Sequence, residues 1–369
     1  MKRTIIAFVI GLFTVGAMAQ TAQEALEAAK KANTYFMDKY PDPGQPSVVK
    51  IARQSNLWTR AVYYEGLMAL NEIEPNDAYM KYVDAWGTAH QWNPRNNKPT
   101  VDADNQCCFQ TYIMRYRQVG GEEKLAKIKQ SFAFQMGRGT NRDWTWIDAL
   151  QMAMPAYAMF AKTTGQKEYL DYAVRSYLWT RDTLANGLFD KANGLWFRDK
   201  NFVEPYKEKD GKNCYWSRGN GWVYASLCRT MDELTRKQKE YKMFKEDFIL
   251  MSQALVKCQR EDGFWNPSLV SQDFACKELT GTSLFAYGLA RGINNGILKK
   301  KAYLPALQKA VKAMLESIHN DGFLGYIQGS GDRPASSQPV FYEREPDFDD
   351  FGLGCYLLGL TEYYKLANK

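Results

Sequence analysis

Residues 144–161 read Trp-Thr-Trp-Ile-Asp-Ala-Leu-Gln-Met-Ala-Met-Pro-Ala-Tyr-Ala-Met-Phe-Ala, and the segment 149–161 within them is apolar on nearly every side. A helix that is apolar all round is buried, whereas a helix with one charged face lies at the surface. The preceding segment, 122–135, carries Lys and Glu on one face. The same contrast separates the apolar segment 283–289 from the amphipathic segment 303–316. This contrast predicts a chain built from surface helices that alternate with buried helices.

Helical spacing of apolar residues continues through almost the whole chain. It predicts twelve helices, near 21–39, 58–73, 76–91, 104–118, 122–137, 147–164, 166–184, 218–237, 240–259, 279–296, 302–318 and 350–367. Six outer–inner pairs predict an all-α fold, an (α/α)6 barrel in which the inner helices form a closed ring. An open helical-repeat array is the alternative, but it should show a tighter sequence period. No Pro-, Gly- or Ser-rich linker divides 20–369, which we therefore interpret as a single domain.

The N-terminus has the pattern of a secretory signal peptide. Lys2 and Arg3 precede an apolar run over 5–15, and Ala-Met-Ala ends at Ala19. This pattern predicts that residues 1–19 are removed on export to the periplasm or the medium. The apolar run is too short to span a bilayer, so a membrane anchor is not expected. Removal of the leader lowers the formal charge from +7 to +5, because it takes two basic residues and no acid.

Composition narrows the kinds of chemistry to consider. Basic residues do not cluster into a stripe, so nucleic-acid binding is not supported. The seven cysteines are scattered over a long chain without a Cys-x-x-Cys pair, which indicates neither a disulfide framework nor a zinc site. With only two histidines, carboxylates are the expected acid–base groups, and no metal or organic cofactor is expected.

Several polar and aromatic residues fall within one turn of a predicted inner-helix start. They are Trp58, Asp104, Asp148, Arg218, Thr280 and Asp350. Long loops at 185–217, 260–278 and 319–349 also lead from outer to inner helices, so they should converge on the same face of the ring. We interpret Asp350 and Thr280 as helix caps, whereas Asp104 fits a cap and a functional group equally well.

Asp148 is the main candidate for catalysis. Trp144, Trp146 and Met152 surround it in sequence, and none of these neighbours is basic. Removal of water from a carboxyl disfavours its charged form and raises its pKa, as a general acid requires. Arg218 lies in Arg-Gly-Asn-Gly, where its guanidinium can clamp a carboxylate or pair with a nearby acid. Trp216 and Trp222 either stack on sugar faces or belong to the core.

Five strings together resemble a known group of enzymes. They are Trp58-Thr-Arg-Ala-Val-Tyr-Tyr64-Glu-Gly, Ala103-Asp104-Asn-Gln-Cys-Cys-Phe-Gln-Thr-Tyr112, Trp146-Ile-Asp148-Ala-Leu-Gln-Met152, Trp216-Ser-Arg218-Gly-Asn-Gly-Trp222 and Asp350-Phe-Gly-Leu-Gly. The chain is similar in these strings to the unsaturated rhamnogalacturonyl hydrolases of glycoside hydrolase family 105, which are related to the unsaturated glucuronyl hydrolases of family 88. The resemblance extends from about Trp58 to the C-terminus and implies an (α/α)6 barrel.

The resemblance also implies an activity. Such enzymes act on oligosaccharides that end in a 4,5-unsaturated uronic acid; they protonate C4 and add water at C5. By resemblance, Asp148 is the acid and base, and Asp104 is the second aspartate, with Asp102 as the fallback. Substrate-binding positions fall on Tyr64, Trp146, Met152, Trp216, Arg218 and Trp222.

Two departures from the family pattern affect the expected substrate. Asp104-Asn105-Gln106 stands where the family often has Asp-Asp-His, and Arg198 lies in a loop where some relatives have histidine. Arg198 can replace that histidine as a polar contact. The expected substrate is unsaturated galacturonyl-rhamnose from pectin. The alternatives are an unsaturated glucuronyl terminus from ulvan, arabinogalactan or a glycosaminoglycan, inverting hydrolysis of a saturated glycan, and a non-catalytic glycan-binding protein.

Overall fold

The computed structural model describes residues 10–49, 51–344, 347 and 349–369. Residues 1–9 of the predicted leader lie outside the described residues, and residues 10–19 belong to the first helix. Thirteen α-helices occur in the described ranges: α1 Ile10–Lys39, α2 Trp58–Ile73, α3 Asp77–Ala89, α4 Ala103–Gln106, α5 Cys108–Val119, α6 Glu123–Gly137, α7 Asp148–Thr164, α8 Lys167–Asp182, α9 Ser217–Met231, α10 Lys239–Cys258, α11 Leu279–Asn294, α12 Lys300–Leu315 and α13 Asp350–Ala367.

The inner helices form a closed ring. Each inner helix packs on the next one around the ring, and the last packs back on the first. The order is α2, α4 with α5, α7, α9, α11 and α13. Helices α3, α6, α8, α10 and α12 each pack outside the inner helix that is their neighbour in the chain, and α1 packs on α13. The predicted (α/α)6 barrel is confirmed.

The largest differences between the predicted helix boundaries and the structure lie in three places. The helix expected at 104–118 is interrupted at Cys107, although this residue keeps helical backbone angles (φ −55°, ψ −40°). The helix expected at 218–237 ends at Met231, where hydrogen bonds between residues three apart replace the α-helical pattern. The first helix begins at Ile10 rather than at 21.

Close contact between α2 and α13 closes the ring. A Cβ atom at Gly354 would lie 2.2 Å from the carbonyl oxygen of Val62, and one at Gly66 would lie 2.7 Å from the carbonyl oxygen of Gly354. Real Cβ atoms do not approach so closely, so glycine on both helices permits this backbone-to-backbone contact. The two helices therefore meet without an intervening layer of side chains.

The loops that enter the inner helices meet at one end of the ring. Trp146 pairs with Asp199, and Trp216 pairs with Ser268, which ties three consecutive loops together. Two short hairpins add to this end: β1 Ser47–Val48 with β2 Ala52–Arg53, and β3 Phe189–Asp190 with β4 Leu195–Trp196. Two 3-10 turns, Arg95–Asn97 and Leu184–Asn186, complete the regular structure. This end carries the N-termini of the inner helices, and we call it the mouth.

In the described part of the chain, no helix is long and apolar enough to cross a membrane. All seven cysteines are free thiols, and five of them are buried.

Candidate active site

Asp148 is the first residue of α7 and lies at the mouth. Two backbone contacts fix its surroundings: Ile147 N donates to the carbonyl oxygen of Arg198 (3.0 Å), and Trp146 forms a bridge with Asp199. Trp144 is buried beside this helix start, and Asp148 itself is 9% exposed. The carboxylate is thus held at the start of a buried helix with limited access to water.

Asp148 has a basic partner that its sequence neighbours did not indicate. Arg198 Nε lies 3.2 Å from Asp148 Oδ2, and Arg198 Nη1 donates to Asp199 Oδ2 at 2.7 Å. No ion pair was evident from the sequence, because Arg198 lies fifty residues further along the chain and reaches Asp148 through the loop that pairs with Trp146.

Asp104 is the aspartate at the mouth that holds a proton near neutral pH. Burial raises its pKa to about 7, and the neighbouring carboxylates of Asp102 and Asp148 add to this rise, while Arg198 and Arg95 oppose it. Asp102 is the N-cap of α4, since its Oδ1 accepts a hydrogen bond from Asp104 N at 2.9 Å. The capping role therefore belongs to Asp102, and the Asp104 side chain is not needed for it.

The buried carboxyl of Glu65 bonds to residues that follow both aspartates by one helical turn. Glu65 accepts hydrogen bonds from Gln151 Nε2 (2.8 Å) and Cys107 Sγ (3.5 Å). Gln151 lies three residues after Asp148, and Cys107 lies three residues after Asp104. Burial raises the pKa of Glu65 to about 7, and the Arg229 guanidinium 3.6 Å away opposes the rise. Sequence reasoning missed this group because its partners come from other inner helices.

Arg218 is enclosed by protein. It is fully buried between the rings of Trp216 and Phe351, 4.7 and 4.8 Å from its Cζ. Its Nη1 donates to the carbonyl oxygen of Gln328 (2.5 Å) and its Nη2 to that of Gly329 (3.0 Å). The burial lowers the pKa of Arg218. In this structure both Nη atoms of the guanidinium therefore bind the backbone of the loop before α13.

The aromatic candidates differ in exposure. Tyr64, Trp216 and Trp222 are fully buried, as is Met152 at 1% exposure, whereas Trp146 is partly exposed. Tyr64 stacks on Trp86 with ring centroids 3.9 Å apart, so its ring belongs to the core. Trp58, at the start of α2, is also partly exposed. Among these residues, only Trp58 and Trp146 retain exposed surface on which a sugar could stack.

The two predicted caps have other partners. Glu278 is the N-cap of α11, since its carboxylate accepts from Thr280 N (2.8 Å) and Gly281 N (2.8 Å). Asp349 precedes α13, and Asp350 Oδ2 accepts from Arg60 Nε at 3.0 Å. The interpretation of Thr280 as the cap of α11 was therefore wrong, because Glu278 has that role. Asp350 lies inside α13 rather than at its N-cap position, and its Oδ1 accepts a hydrogen bond from Phe351 N at 3.1 Å.

Over the ranges that the structure describes, no group of three or more His, Cys, Asp or Glu residues is arranged to hold a metal ion.

Comparison with known proteins agrees with this geometry. The family model described as Glycosyl Hydrolase Family 88 matches residues 28–367. A curated protein from Formosa agariphila, named unsaturated 3S-rhamnoglycuronyl hydrolase, is 35% identical over 330 residues, which cover 84% of this chain and 85% of that protein. A solved glycosyl hydrolase family 88 structure from Bacteroides vulgatus has a TM-score of 0.84 at 30% identity and covers 94% of this chain and 99% of its own.

A more distant structure shares the fold. A possible member of glycoside hydrolase family 105 from Salmonella enterica aligns with a TM-score of 0.72 at 19% identity, over 99% of this chain and 96% of its own. The resemblance seen in the five sequence strings is thus confirmed at the level of this group of families, and the reading as a non-catalytic glycan-binding protein was wrong. The match over 28–367 shows that the chain belongs to glycosyl hydrolase family 88 and is an unsaturated uronyl hydrolase.

Proposed function

We propose that this protein is an exported enzyme that hydrates the C4=C5 double bond of a terminal 4,5-unsaturated uronic acid and thereby releases the linked sugar. The observation that carries the proposal is the pair of carboxyls at the mouth. Asp148 is held by Arg198, while Asp104 has its pKa raised to about 7. Such a pair holds one proton near neutral pH and can both give and accept it.

The chemical steps follow from this pair. Asp104, whose pKa is raised to about 7, holds the proton at the start, and its carboxyl interacts electrostatically with that of Asp148, to which the proton passes. In the proposed reaction Asp148 delivers the proton to C4, which leaves positive charge at C5 next to the ring oxygen. Water adds to C5, and Asp148 accepts a proton from it. The resulting hemiketal opens, and the bond from C1 to the leaving sugar breaks without direct attack at the anomeric carbon.

The linked sugar is the part of the substrate that distinguishes the alternatives. Galacturonic and glucuronic acid differ only in configuration at C4, and C4 is trigonal once the double bond has formed. Both acids therefore give the same unsaturated ring, and they differ only in anomeric configuration and in the sugar attached. The name of the Formosa agariphila relative supports rhamnose as that sugar. We therefore propose an unsaturated uronyl-rhamnose substrate from pectin or from a glucuronate–rhamnose polysaccharide.

A panel of lyase-generated disaccharides tests this proposal. It includes the unsaturated uronic acid linked to rhamnose in both anomeric forms, to 3-O-sulfated rhamnose and to an amino sugar. Loss of the ultraviolet absorbance of the enol ether reports hydration. The proposal expects the rhamnose-linked compounds to react fastest. A preference for the amino-sugar compound would move the assignment to glycosaminoglycan fragments.

Export is tested separately by expressing the full chain in a bacterium and fractionating the cells. The leader pattern over 1–19 predicts a periplasmic or secreted protein whose first residue is Gln20. Recovery of the intact N-terminus from the cytoplasm would contradict export and leave the enzymatic proposal unchanged.

A further inference from the structure

Arg198 combines a fixed backbone with a side chain that reaches the mouth. Its carbonyl oxygen accepts a hydrogen bond from Ile147 N, and the next residue, Asp199, pairs with Trp146. The Arg198 side chain is 20% exposed and contacts the carboxylates of Asp148 and Asp199. It also interacts electrostatically with Asp332. An anion that enters the mouth near Asp148 would meet this guanidinium.

The structure argues against Arg218 for the same role. Both Nη atoms of Arg218 already donate to the carbonyl oxygens of Gln328 and Gly329, and only its buried Nε has no hydrogen-bond partner. A forked contact through both Nη atoms would leave these two acceptors unpaired, which is unfavourable. Arg198 instead has carboxylate partners, and a substrate carboxylate can replace one of them with the same kind of bond.

We propose that Arg198 binds the carboxylate of the unsaturated uronic acid and exchanges its contact with Asp148 for a contact with the substrate. This inference rests on the proposed function and names the residue that selects an acidic sugar. Only Nε of Arg198 contacts Asp148, whereas a guanidinium can bind a carboxylate through two parallel hydrogen bonds. A forked contact with the substrate is therefore a stronger bond than the one it replaces.

The exchange also changes the charges next to Asp148, the residue proposed to protonate C4. When Arg198 turns to the substrate, Asp148 Oδ2 loses its cation and gains a negative neighbour. Both changes favour transfer of the Asp104 proton to Asp148, which is the carboxyl proposed to protonate C4. A substrate without a carboxylate would leave the ion pair between Arg198 and Asp148 in place.

The test compares the unsaturated uronyl disaccharide with its methyl ester, which keeps the double bond and removes the charge. For the wild-type enzyme, kcat/KM should be roughly 10- to 100-fold lower for the ester, because a hydrogen bond between charged groups is replaced by a weaker one. For Arg198→Gln, acid and ester should react within about twofold of each other. An unchanged preference for the acid in Arg198→Gln would overturn the proposal.

Three further variants sharpen the result. Arg333→Gln removes the half-exposed guanidinium that pairs with Asp332, and this variant should keep the preference for the acid. If Arg333→Gln instead has equal kcat/KM values for acid and ester, Arg333 is the recognition residue and the proposal fails. Arg115→Gln breaks a comparable ion pair with Asp84 between α3 and α5 and should also keep the preference. Arg198→Lys retains the charge without the fork and should restore part of the preference, even if the Gln variant folds poorly.

The proposed function is tested by the wild-type enzyme alone. Loss of the double bond in the acid substrate, without any discrimination against the ester, would overturn the role of Arg198 only. Failure of the wild type to consume the double bond of any substrate would overturn the proposed function itself.

Discussion

At the scale of single residues, the site depends on two aspartates that occupy similar positions and meet different neighbours. Each lies at the start of an inner helix, but Arg198 contacts Asp148, while Asp104 is half-buried beside two other carboxylates. The protein thereby keeps a negative charge and a proton in the same small volume at neutral pH. This is the condition that acid–base chemistry on a double bond requires.

The raised pKa of Asp104 makes a prediction about stability. The folded state binds this proton more tightly than the unfolded chain, so the stabilisation is complete at pH values below the unfolded pKa. It is lost as pH rises through about 7. At pH 8 the ionised, buried carboxylate is therefore a cost, and Asp104→Asn should be more stable than the wild type by roughly 2–4 kcal/mol.

Urea unfolding between pH 4 and pH 8 measures this difference. It should shrink toward zero at the acidic end, where the wild-type carboxyl is protonated in the folded state. A difference that does not vary with pH would mean that Asp104 is ionised throughout this range. The variant should also lose most of its turnover, which separates the stability effect from function.

The sequence predicted the residues at helix starts but not their partners. Asp148 and Asp104 were recognisable because a carboxylate before an apolar helix is a local pattern. Arg198 contacts Asp148 across 50 positions, and Glu65 accepts a hydrogen bond from Gln151, one turn after Asp148, across 86 positions. No local pattern encodes such pairs, so the partner of Asp148 could not be recognised before the fold was known.

At the scale of elements, the loop 328–338 is held by the start of α9. Arg218 donates to two of its carbonyls, and Trp216 Nε1 donates to Gln328 Oε1 at 2.9 Å. Gln328 Nε2 in turn donates to the carbonyl oxygens of Arg333, Pro334 and Ser336. Asp332 of this loop interacts with Arg198, so the loop forms part of the mouth.

This arrangement predicts that Arg218 and Gln328 act together. Arg218→Lys and Gln328→Ala should each loosen the loop, lower the melting temperature and raise KM, because each leaves buried carbonyls without donors. Limited proteolysis within 328–338 should become faster in both variants. If Arg218→Lys weakens substrate binding while Gln328→Ala behaves like the wild type, Arg218 contacts the substrate directly and the account of the loop is wrong.

The roles expected for the tryptophan–arginine string illustrate a limit of sequence patterns. Glycines beside Arg218 indicate a close approach of another group, and the structure contains one, but from the protein itself: a Cβ at Gly221 would lie 2.8 Å from Leu284 Cδ1 of the next inner helix. The sequence cannot distinguish a residue that holds a ligand from one that holds a loop. Burial and hydrogen-bond partners make that distinction.

At the scale of the whole molecule, function requires that the ring be closed, since the catalytic and supporting residues come from several inner helices. Glu65 on α2 bonds to residues beside α4 and on α7, and Arg229 on α9 bonds to Gln110 on α5 at 2.9 Å. The alternation of amphipathic and apolar helices was sufficient to predict this architecture, because burial of a fully apolar helix demands neighbours on all sides.

Ring closure is tested at the contact between α2 and α13. Gly354→Ala would place a methyl group against the carbonyl of Val62, so it should lower the free energy of unfolding by about 1–3 kcal/mol or more. Gly137→Ala, at the end of α6, meets no atom within 4 Å and should be neutral or slightly stabilising. Chemical denaturation of both variants provides the comparison; equal stability of the two would contradict a tight closure.

The central claim is that Asp148 protonates C4 of an unsaturated uronic acid, and reaction in D2O tests it most directly. The wild-type enzyme should consume the double bond and place one deuterium at C4 of the initial product, as seen by NMR, while Asp148→Asn should fold normally and leave the double bond intact. Release of the linked sugar with the double bond retained, or wild-type turnover in Asp148→Asn, would contradict the claim.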